Sequence, residues 1–407
     1  MTDTPVLQGL KVLDLSHQYS GALAAALMAD LGADVVAVEH PRHSPIRTML
    51  PKKDGESLWW KVIERGKRVM AIDLSTARGR EIVIDLARQF EVIVENFRPG
   101  TLEKWDLGPA DLEAAGVNAV MLRISGFGQT GPDRELPGFG TIAEAISGFA
   151  HLNGEPDGPP TFPSTTLADG VAAVFGTMGV LAASWNRARH PGQPARVEVV
   201  DMALFEGLFR LIPTQIPALD QLGVVQTRPG NLLTSHGVLR NLYSSGDGRY
   251  FCVSAVGPAA IRRILVAAGA DDLIARVDAD VMEEDAAEVH EFLDACNAGV
   301  EKWAAAADYA ELEQRLQAAD AVHRHVYSAA DIVKDPQYAA RDDLIHVPDS
   351  DLGDILMSGV VPKFPGRSHT VASAGPRRGA HSDEILRDML GLKPTEIDQL
   401  RIEGVIA

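Results

Sequence analysis

Short apolar runs alternate with amphipathic stretches over the first 125 residues. The runs that predict buried strands are residues 10–15, 35–38, 68–74, 91–94 and 119–124. Between them, residues 21–31 predict a helix closed by Gly32, and residues 75–90 predict a helix capped by Ser75. Strands separated by helices of this length pair in parallel through right-handed crossovers. The pattern therefore predicts a Rossmann-like α/β layer.

The pattern changes in the second half of the chain. Residues 196–200 predict a further strand and residues 201–211 a helix, followed by a Pro-rich linker around residues 213–230. Two alternating runs, residues 239–244 and 250–255, flank Gly246-Asp247-Gly248, which is a hairpin signal. Mostly helical, acidic sequence follows. We therefore place a smaller α+β domain at residues 225–325, and predict a β-like segment at 355–361 and an amphipathic helix at 382–390.

Composition narrows the possible partners. The 407 residues carry a net charge of −18, which disfavours non-specific binding to nucleic acid or acidic lipid, so an anionic ligand needs a local basic patch. Cys252 and Cys296 lie outside any CxxC motif, and we predict neither disulfides nor a metal site. We see no secretory signal, and the apolar residues 171–185 are too few and too interrupted by glycine to span a bilayer. We expect a soluble, cytoplasmic protein.

Asp169 is an acid at the start of a strongly apolar helix. One interpretation is an N-cap, whose carboxylate accepts the first free N–H groups of that helix. The other is a carboxylate nucleophile that attacks a carbonyl carbon. Both interpretations can hold at once.

The loops after the predicted strands offer candidate binding groups. The first turn, residues 16–21, lacks the glycines of GxGxxG, which disfavours a dehydrogenase although Glu39 ends the second strand. The loop after the fourth strand offers the flat ring of Phe97 and a turn at Pro99-Gly100. Cations from several loops predict a rim suited to a ligand with several phosphates, namely Arg42, Lys67, Arg68, Arg98, Lys104 and Arg134.

Several segments together resemble the class III coenzyme A-transferases, the family of formyl-CoA transferase, succinyl-CoA-dependent dicarboxylate transferases and carnitine CoA-transferase. The resemblance is densest before Phe205 and returns at residues 335–336 and 379–386. The segments that carry it are residues 10–16 (LKVLDLS), 29–36 (ADLGADVV), 66–68 (GKR), 94–100 (VENFRPG) and 158–161 (GPPT) ahead of Asp169.

The resemblance implies a fold, a nucleophile and a ligand. A large Rossmann-like domain would be built from both chain ends, with residues 1–210 and 329–407, and two chains would interlock as a homodimer. Asp169 would be the nucleophile and coenzyme A, delivered as an acyl-CoA, the substrate that exchanges with a small carboxylic acid. The residues that would hold coenzyme A are His17, Gln18, Tyr19, Ile72, Ser75, Asn96, Phe97, Arg98, Thr101, Lys104 and Trp105.

Departures from the family pattern leave alternatives. The related α-methylacyl-CoA racemases use a His–Asp pair in the segment that matches Gly138-Phe139-Gly140, and a phenyl ring cannot abstract a proton. The glycine-rich lid of formyl-CoA transferase has no counterpart here, which fits a different lid or a larger acceptor acid. We therefore predict a CoA-transferase, for which the family resemblance implies succinyl-CoA as the donor. A racemase or epimerase and a non-catalytic subunit of a heteromeric transferase stay as alternatives.

Overall fold

The computed structural model describes residues 4–192, 194–233, 238–283 and 285–407. The chain divides into two compact units. The first comprises Met1–Phe149, Phe162–Pro217 and Gln337–Ala407, and the second comprises Ala150–Thr161 and Ala218–Pro336.

Strands occur in both units. In chain order they are β1 (Lys11–Asp14), β2 (Asp34–Glu39), β3 (Lys52–Lys53), β4 (Glu56–Ser57), β5 (Arg68–Ala71), β6 (Val92–Glu95), β7 (Val120–Ser125), β8 (Glu198–Ala203), β9 (Val238–Ser244), β10 (Tyr250–Val256), β11 (His323–His325), β12 (Leu344–Val347) and β13 (Ile355–Ser358).

Helices connect and cover these strands, together with short 3₁₀ turns at Ile46–Thr48 and Val281–Glu283. They are α1 (Tyr19–Asp30), α2 (Leu58–Ile63), α3 (Ala77–Ala87), α4 (Thr101–Lys104), α5 (Pro109–Ala114), α6 (Gly140–Ile146), α7 (Phe149–Leu152), α8 (Leu167–Arg189), α9 (Leu204–Leu211), α10 (Gln215–Leu222), α11 (Pro258–Ala268), α12 (Asp271–Asp278), α13 (Ala286–Ala305), α14 (Tyr309–Ala318), α15 (Ala329–Ile332), α16 (Pro336–Ala340), α17 (Ser382–Leu390) and α18 (Pro394–Ile402).

The first unit is built around a parallel sheet in the order β5-β2-β1-β6-β7-β8. The parallel pairing of β1 with both β2 and β6 confirms the predicted Rossmann-like layer. The strand order reverses between β1 and β6, which is where open α/β sheets bind ligands at the carboxyl ends of their strands. The loops after β1 and β6 therefore frame the expected binding edge.

Alternation along the strands feeds a separate core on each face of the sheet. Leu13, Val36 and Ile93 point to the face covered by α3, α17 and α18. Val12, Val35 and Val92 point to the opposite face, covered by α1 and α8. Because both faces are covered, the strands read as nearly continuous apolar runs in the sequence.

Residues from the C-terminal part of the chain complete the β5 edge of the sheet. Ile406 forms an antiparallel bridge with Ile72, and the Asp73 N–H donates to the carbonyl oxygen of Val405 at 2.8 Å. The Ala71 N–H donates to Ser382 Oγ at 3.1 Å. The first unit is therefore built from residues that lie on both sides of the second unit in the sequence.

Several predicted element boundaries are wrong. Helix α3 is capped by Thr76, whose hydroxyl accepts the Gly79 N–H at 3.0 Å, whereas Ser75 donates to Asp73. The predicted Pro-rich linker contains α10, and the predicted helix at 201–211 begins only at Leu204 because β8 continues through Ala203. Helices α2, α6 and α18 were not predicted; each is short, so its apolar periodicity covers few turns.

Helix α8 is longer than its apolar core suggested. The 15-residue run from Val171 to Trp185 lies within a helix of 23 residues, which by length and composition alone could cross a membrane. Its buried residues include Ala168, Ala172 and Val180, and they pack in the core formed with β7 and α1. We interpret α8 as a core helix of the first unit.

The second unit contains the sheet β11-β10-β9, whose β9–β10 hairpin is antiparallel as predicted, and it is covered by α11, α13 and α14. It also includes residues 150–161, which the sequence assigns to the large domain. They join it because the His151 ring bonds the Gln226 carbonyl at 3.0 Å and the Gly230 N–H donates to the Gly154 carbonyl at 3.1 Å.

Candidate active site

Asp169 lies in the first turn of α8 and is not its cap. The helix begins at Leu167, and Thr166 occupies the N-cap position without a side-chain hydrogen bond to the helix. The N-cap interpretation is therefore wrong, because the N-cap position of α8 lies at Thr166, three residues earlier than the sequence suggested. The helix dipole still favours a negative charge at this position.

The environment of Asp169 opposes its ionisation. Burial and, after it, the negative charge of Glu144 raise the pKa of Asp169 to about 6, while the backbone N–H of Asp169 itself acts in the other direction. An ordinary aspartate titrates near pH 4. The carboxylate is thus unusually basic, which is typical of functional sites.

Gly140 provides the space that the Asp169 carboxylate occupies. A Cβ atom placed at Gly140 would overlap Oδ2 of Asp169. Gly140 is the first residue of α6, and Glu144 lies one turn later on the same side of that helix. Helices α6 and α8 therefore meet at the Asp169 side chain through a glycine.

Tyr19, at the start of α1, faces the same group. Burial raises the pKa of the Tyr19 phenol, the Thr166 hydroxyl lowers it, and the Asp169 charge raises it again. The Tyr19 ring packs edge-on against Trp59, with ring centroids 5.1 Å apart. Tyr19 thus connects the loop after β1, which carries His17 and Gln18, with the surroundings of Asp169.

Asn96 joins the two loops at the switch point of the sheet. Its Oδ1 accepts the His17 N–H at 3.0 Å, and its Nδ2 donates to the Gln18 carbonyl at 3.0 Å. The His17 ring stacks on Phe97 with centroids 4.5 Å apart and an interplanar angle of 20°. Phe97 in turn meets the edge of Trp105 at 5.3 Å. The structure brings these predicted residues together.

A cavity of about 420 Å³ opens beside this aromatic cluster. It is lined by several of the predicted residues and by side chains from the ends of β2 and β5. Apolar cavities with a few polar groups at their walls are the usual form of small-molecule sites. Lining residues include His17, Ile72, Ser75, Phe97, Trp105, His40, His43, Trp60, Glu64 and Asp73.

The remaining predicted residues have other positions. Arg98 and Lys104 are exposed on the loop after β6 and on α4, and Thr101 begins α4 with its N–H donating to the Arg98 carbonyl at 3.0 Å. Gln18 is the N-cap residue of α1 and contributes its carbonyl to the Asn96 contact.

Part of the predicted cationic rim is wrong. Lys67 is fully buried, with Nζ 2.9 Å from both Asp14 and Glu64, so it neutralises internal carboxylates. Arg68 forms a bidentate contact with Asp34. Arg134 is exposed and pairs with its neighbour Glu135, and its predicted place in the rim stays a prediction. Lys67 was expected at the rim because a strand-end position does not reveal how deep a long side chain lies.

Two buried acids near the cavity, Glu39 and Glu95, are paired with arginines, and the sequence did not reveal these pairs. Glu39 accepts two hydrogen bonds from Arg47, at 2.7 and 2.8 Å, which excludes it as a free ribose acceptor. Glu95 is fully buried against Arg123 at 2.7 Å and accepts the Phe97 N–H at 2.7 Å. Burial raises the pKa of Glu95 to about 7 in spite of Arg123. Glu95 therefore fixes the start of the loop that carries Asn96 and Phe97.

Gly140 and Glu144 were missed as site residues. A signal was present, since a glycine and an acid four residues apart bracket an apolar turn in Gly140-Thr-Ile-Ala-Glu144. It could not be read without knowing that this short segment forms a helix facing Asp169.

Three features point to the class of protein: a parallel α/β sheet, an aromatic cavity at the switch point of that sheet, and a carboxylate with a raised pKa on a neighbouring helix. Comparison with known proteins identifies this class. The sequence profile of CoA-transferase family III matches residues 7–382. The chain is 34% identical over 405 residues to succinyl-CoA–D-citramalate CoA-transferase of Chloroflexus aurantiacus, with 98% of each protein covered. It is also 34% identical over 412 residues to the beta subunit of succinyl-CoA–L-malate CoA-transferase of that organism, with 100% of this chain and 99% of the relative covered.

Solved structures agree with this class. The crystal structure of a CaiB/BaiF family protein from Brucella suis superposes with a TM-score of 0.81 at 26% identity, covering 95% of this chain and 99% of that protein. The chain belongs to CoA-transferase family III. The resemblance drawn from the sequence is thereby confirmed, as is the conclusion that the protein is a transferase.

Proposed function

We propose that this enzyme moves coenzyme A from succinyl-CoA to a small carboxylic acid through a covalent intermediate on Asp169. The observation that carries the proposal is the basic, half-buried Asp169 carboxylate at the start of α8, resting against Gly140. The named activities of the relatives support the donor, because the two described above use succinyl-CoA with citramalate or malate.

The proposed reaction exchanges one activated carbonyl for another. A carboxylate oxygen of Asp169 attacks the thioester carbon, the C–S bond breaks, and coenzyme A leaves as a thiolate, which produces a mixed anhydride. The thiolate then attacks Cγ of Asp169 and releases the donor acid, so that coenzyme A is held as an aspartyl thioester. The acceptor carboxylate attacks the same carbon, and the two steps run in reverse to release the new acyl-CoA.

Backbone groups at the start of α6 fit the charge that develops in these steps. The N–H of Gly170, the residue after Asp169, is not available for this role, because it donates to the Thr166 carbonyl at 3.0 Å. Gly140 is the first residue of α6, so its N–H has no acceptor within that helix, and it lies against the Asp169 carboxylate. We propose the Gly140 N–H as the donor to the tetrahedral oxyanion.

We propose that coenzyme A binds at the cavity at the switch point of the sheet. The stacked His17 and Phe97 rings offer flat faces to the adenine, and burial lowers the pKa of His17, which keeps the imidazole neutral for stacking. We propose that exposed Arg98 and Lys104 contact the phosphates, as cations do in other phosphate sites. Tyr19, near Asp169, would then face the reactive thioester end.

Exposed apolar side chains on the first unit support a dimer. Val174, Met178 and Trp185 on α8 are 57%, 59% and 65% exposed, and Phe209 and Leu211 on α9 are also exposed. Exposed apolar patches of this kind mark interaction sites. We propose that a second copy covers them, which would also exclude water from the anhydride. The cytoplasmic location inferred from the sequence stays a prediction.

The test is formation of the aspartyl adduct. The purified chain is incubated with succinyl-CoA or acetyl-CoA and the peptide that carries Asp169 is followed by mass spectrometry. We expect the mass of coenzyme A on Asp169 in the wild type and none in Asp169→Ala, whose circular dichroism should be unchanged. Transfer that survives in Asp169→Ala would contradict the mechanism.

A second candidate, a subunit of a heteromeric transferase, is supported by the relatives named as alpha and beta subunits. The adduct experiment separates the two candidates, because a catalytic chain labels itself without a partner. No observation in the described residues favours the racemase, since Phe139 precedes α6 where the base would be needed.

A further inference from the structure

Glu144 is a buried acid for which the proposed reaction has no role. It is 3% exposed and lies on α6, four residues after Gly140. Residues four apart share one face of a helix, and Gly140 contacts Asp169. The Glu144 side chain therefore faces the start of α8 from the same surface that holds the nucleophile.

The Glu144 carboxylate replaces a missing cap on α8. Its Oε1 accepts the Ala168 N–H at 3.4 Å, and the Leu167 N–H also stabilises its charge, although burial dominates and raises the pKa of Glu144. The N-cap residue Thr166 makes no side-chain bond to these groups. An N-terminal turn without such an acceptor leaves backbone donors unsatisfied, so Glu144 fixes the turn that contains Asp169.

The Glu144 charge also acts on Asp169. Among the residues that the structure describes, the titratable groups that act on Asp169 are Glu144 from α6 and Tyr19 from α1. The negative charge of Glu144 adds to burial in disfavouring a second negative charge. When two carboxylates share one site, like-charge repulsion raises the pKa of one of them, and here that group is Asp169. A more basic carboxylate is the better nucleophile and the poorer leaving group, which suits an acyl intermediate that must resist water.

We propose that Glu144 is a positioning residue for the transfer reaction, which holds the first turn of α8 in place and whose negative charge strengthens Asp169 as a nucleophile. This inference rests on the proposed function of Asp169. It assigns to Glu144 a hydrogen-bonding role and a charge role, and these two can be separated.

Glu144→Gln separates them, because an amide oxygen still accepts the Ala168 N–H while the charge is removed. Glu144→Ala removes both. The matched control is Glu135→Gln, which removes the same charge from an exposed side chain. The rate of aspartyl adduct formation is measured by rapid quench and mass spectrometry between pH 4.5 and 8, and the melting temperature of each variant is recorded.

We expect the wild-type rate to fall below about pH 6, as Asp169 takes up its proton. Removing a neighbouring negative charge lowers the pKa of a carboxyl group, so Glu144→Gln should move the midpoint of the pH–rate profile to lower pH. It should also lower the rate at the alkaline plateau several-fold and leave the melting temperature nearly unchanged. Glu144→Ala should also melt at lower temperature. Glu135→Gln should match the wild type.

A second measurement does not depend on turnover. Carbodiimide labels protonated carboxyl groups, so the yield of label on Asp169 as a function of pH reports its titration even in a chain that forms no adduct. An identical labelling midpoint in wild type and Glu144→Gln would overturn the inference. An adduct absent from the wild type, with a shifted labelling midpoint in Glu144→Gln, would instead overturn the proposed function and leave the electrostatic coupling standing.

Discussion

Replacing Gly140 with alanine tests whether the position of the Asp169 carboxylate matters for catalysis. The added Cβ would overlap Asp169 Oδ2, and real Cβ atoms essentially never approach another heavy atom within 3.0 Å. The carboxylate must therefore move by roughly 1 Å, a displacement that can reduce the rate of an enzyme about 100-fold. The backbone at Gly140 does not have a positive φ, so alanine is compatible with the helix itself.

The effect on stability should be small by comparison. Alanine favours a helix over glycine by up to about 1 kcal/mol, while overpacking costs about 1–3 kcal/mol. We expect the free energy of unfolding to change by no more than about 2 kcal/mol, whereas adduct formation on Asp169 falls about 100-fold. Urea unfolding and the rate of adduct formation measure the two effects separately.

Gly299→Ala is the matched control. Gly299 lies within α13, and a Cβ there meets only Leu273 Cδ1, at an ordinary 3.4 Å. This variant should unfold at equal or higher urea concentration and form the adduct at the wild-type rate. Full activity in Gly140→Ala would show that the reaction does not require the observed position of the Asp169 carboxylate.

Three further predictions concern charge. Folding raises the pKa of Asp169 from an ordinary 3.8 to about 6, so the ionised carboxylate destabilises the folded state at neutral pH. Asp169→Asn should therefore increase the free energy of unfolding, measured in urea at pH 7.5, by on the order of 2–3 kcal/mol, and this increase should vanish as the pH falls to 4. An increase that does not change with pH would contradict this reasoning. Arg123→Met leaves Glu95 buried without its cation and should cost about 3–5 kcal/mol at pH 8, with a smaller loss below pH 7 as Glu95 takes up a proton; a loss independent of pH would refute it. Arg98→Ala and Lys104→Ala should each weaken coenzyme A binding in calorimetry and reduce its salt dependence; unchanged affinity would remove both from the site.

The sheet was predictable because its signal is local and repeated. Val35 and Val92 belong to runs that are apolar on both faces, and this is how a covered parallel strand reads. The aromatic cavity was also within reach, since His17 and Phe97 follow two strands whose carboxyl ends must meet in a parallel sheet.

Other features of the site depend on distances between residues that are far apart in the sequence, and no local sequence pattern contains these distances. Lys67 looks like a rim cation in sequence, yet it lies between Asp14 and Glu64, which come from different elements. Asp169 could be recognised as a candidate, but its raised pKa comes from burial and from Glu144, 25 residues earlier in the chain. Charges that act through tertiary contacts depend on distances in the folded protein, which the spacing of residues along the sequence seldom reveals.

The contribution of residues 379–407 to the β5 edge has a consequence for biosynthesis. Strand β5 leaves the ribosome more than 300 residues before Ser382 and Ile406 can reach it. Throughout that interval a nascent chain presents an open strand edge, a template for pairing with other chains. We therefore expect chaperone dependence during synthesis, and a bulky fusion placed after Ala407 would crowd the contacts that close this edge.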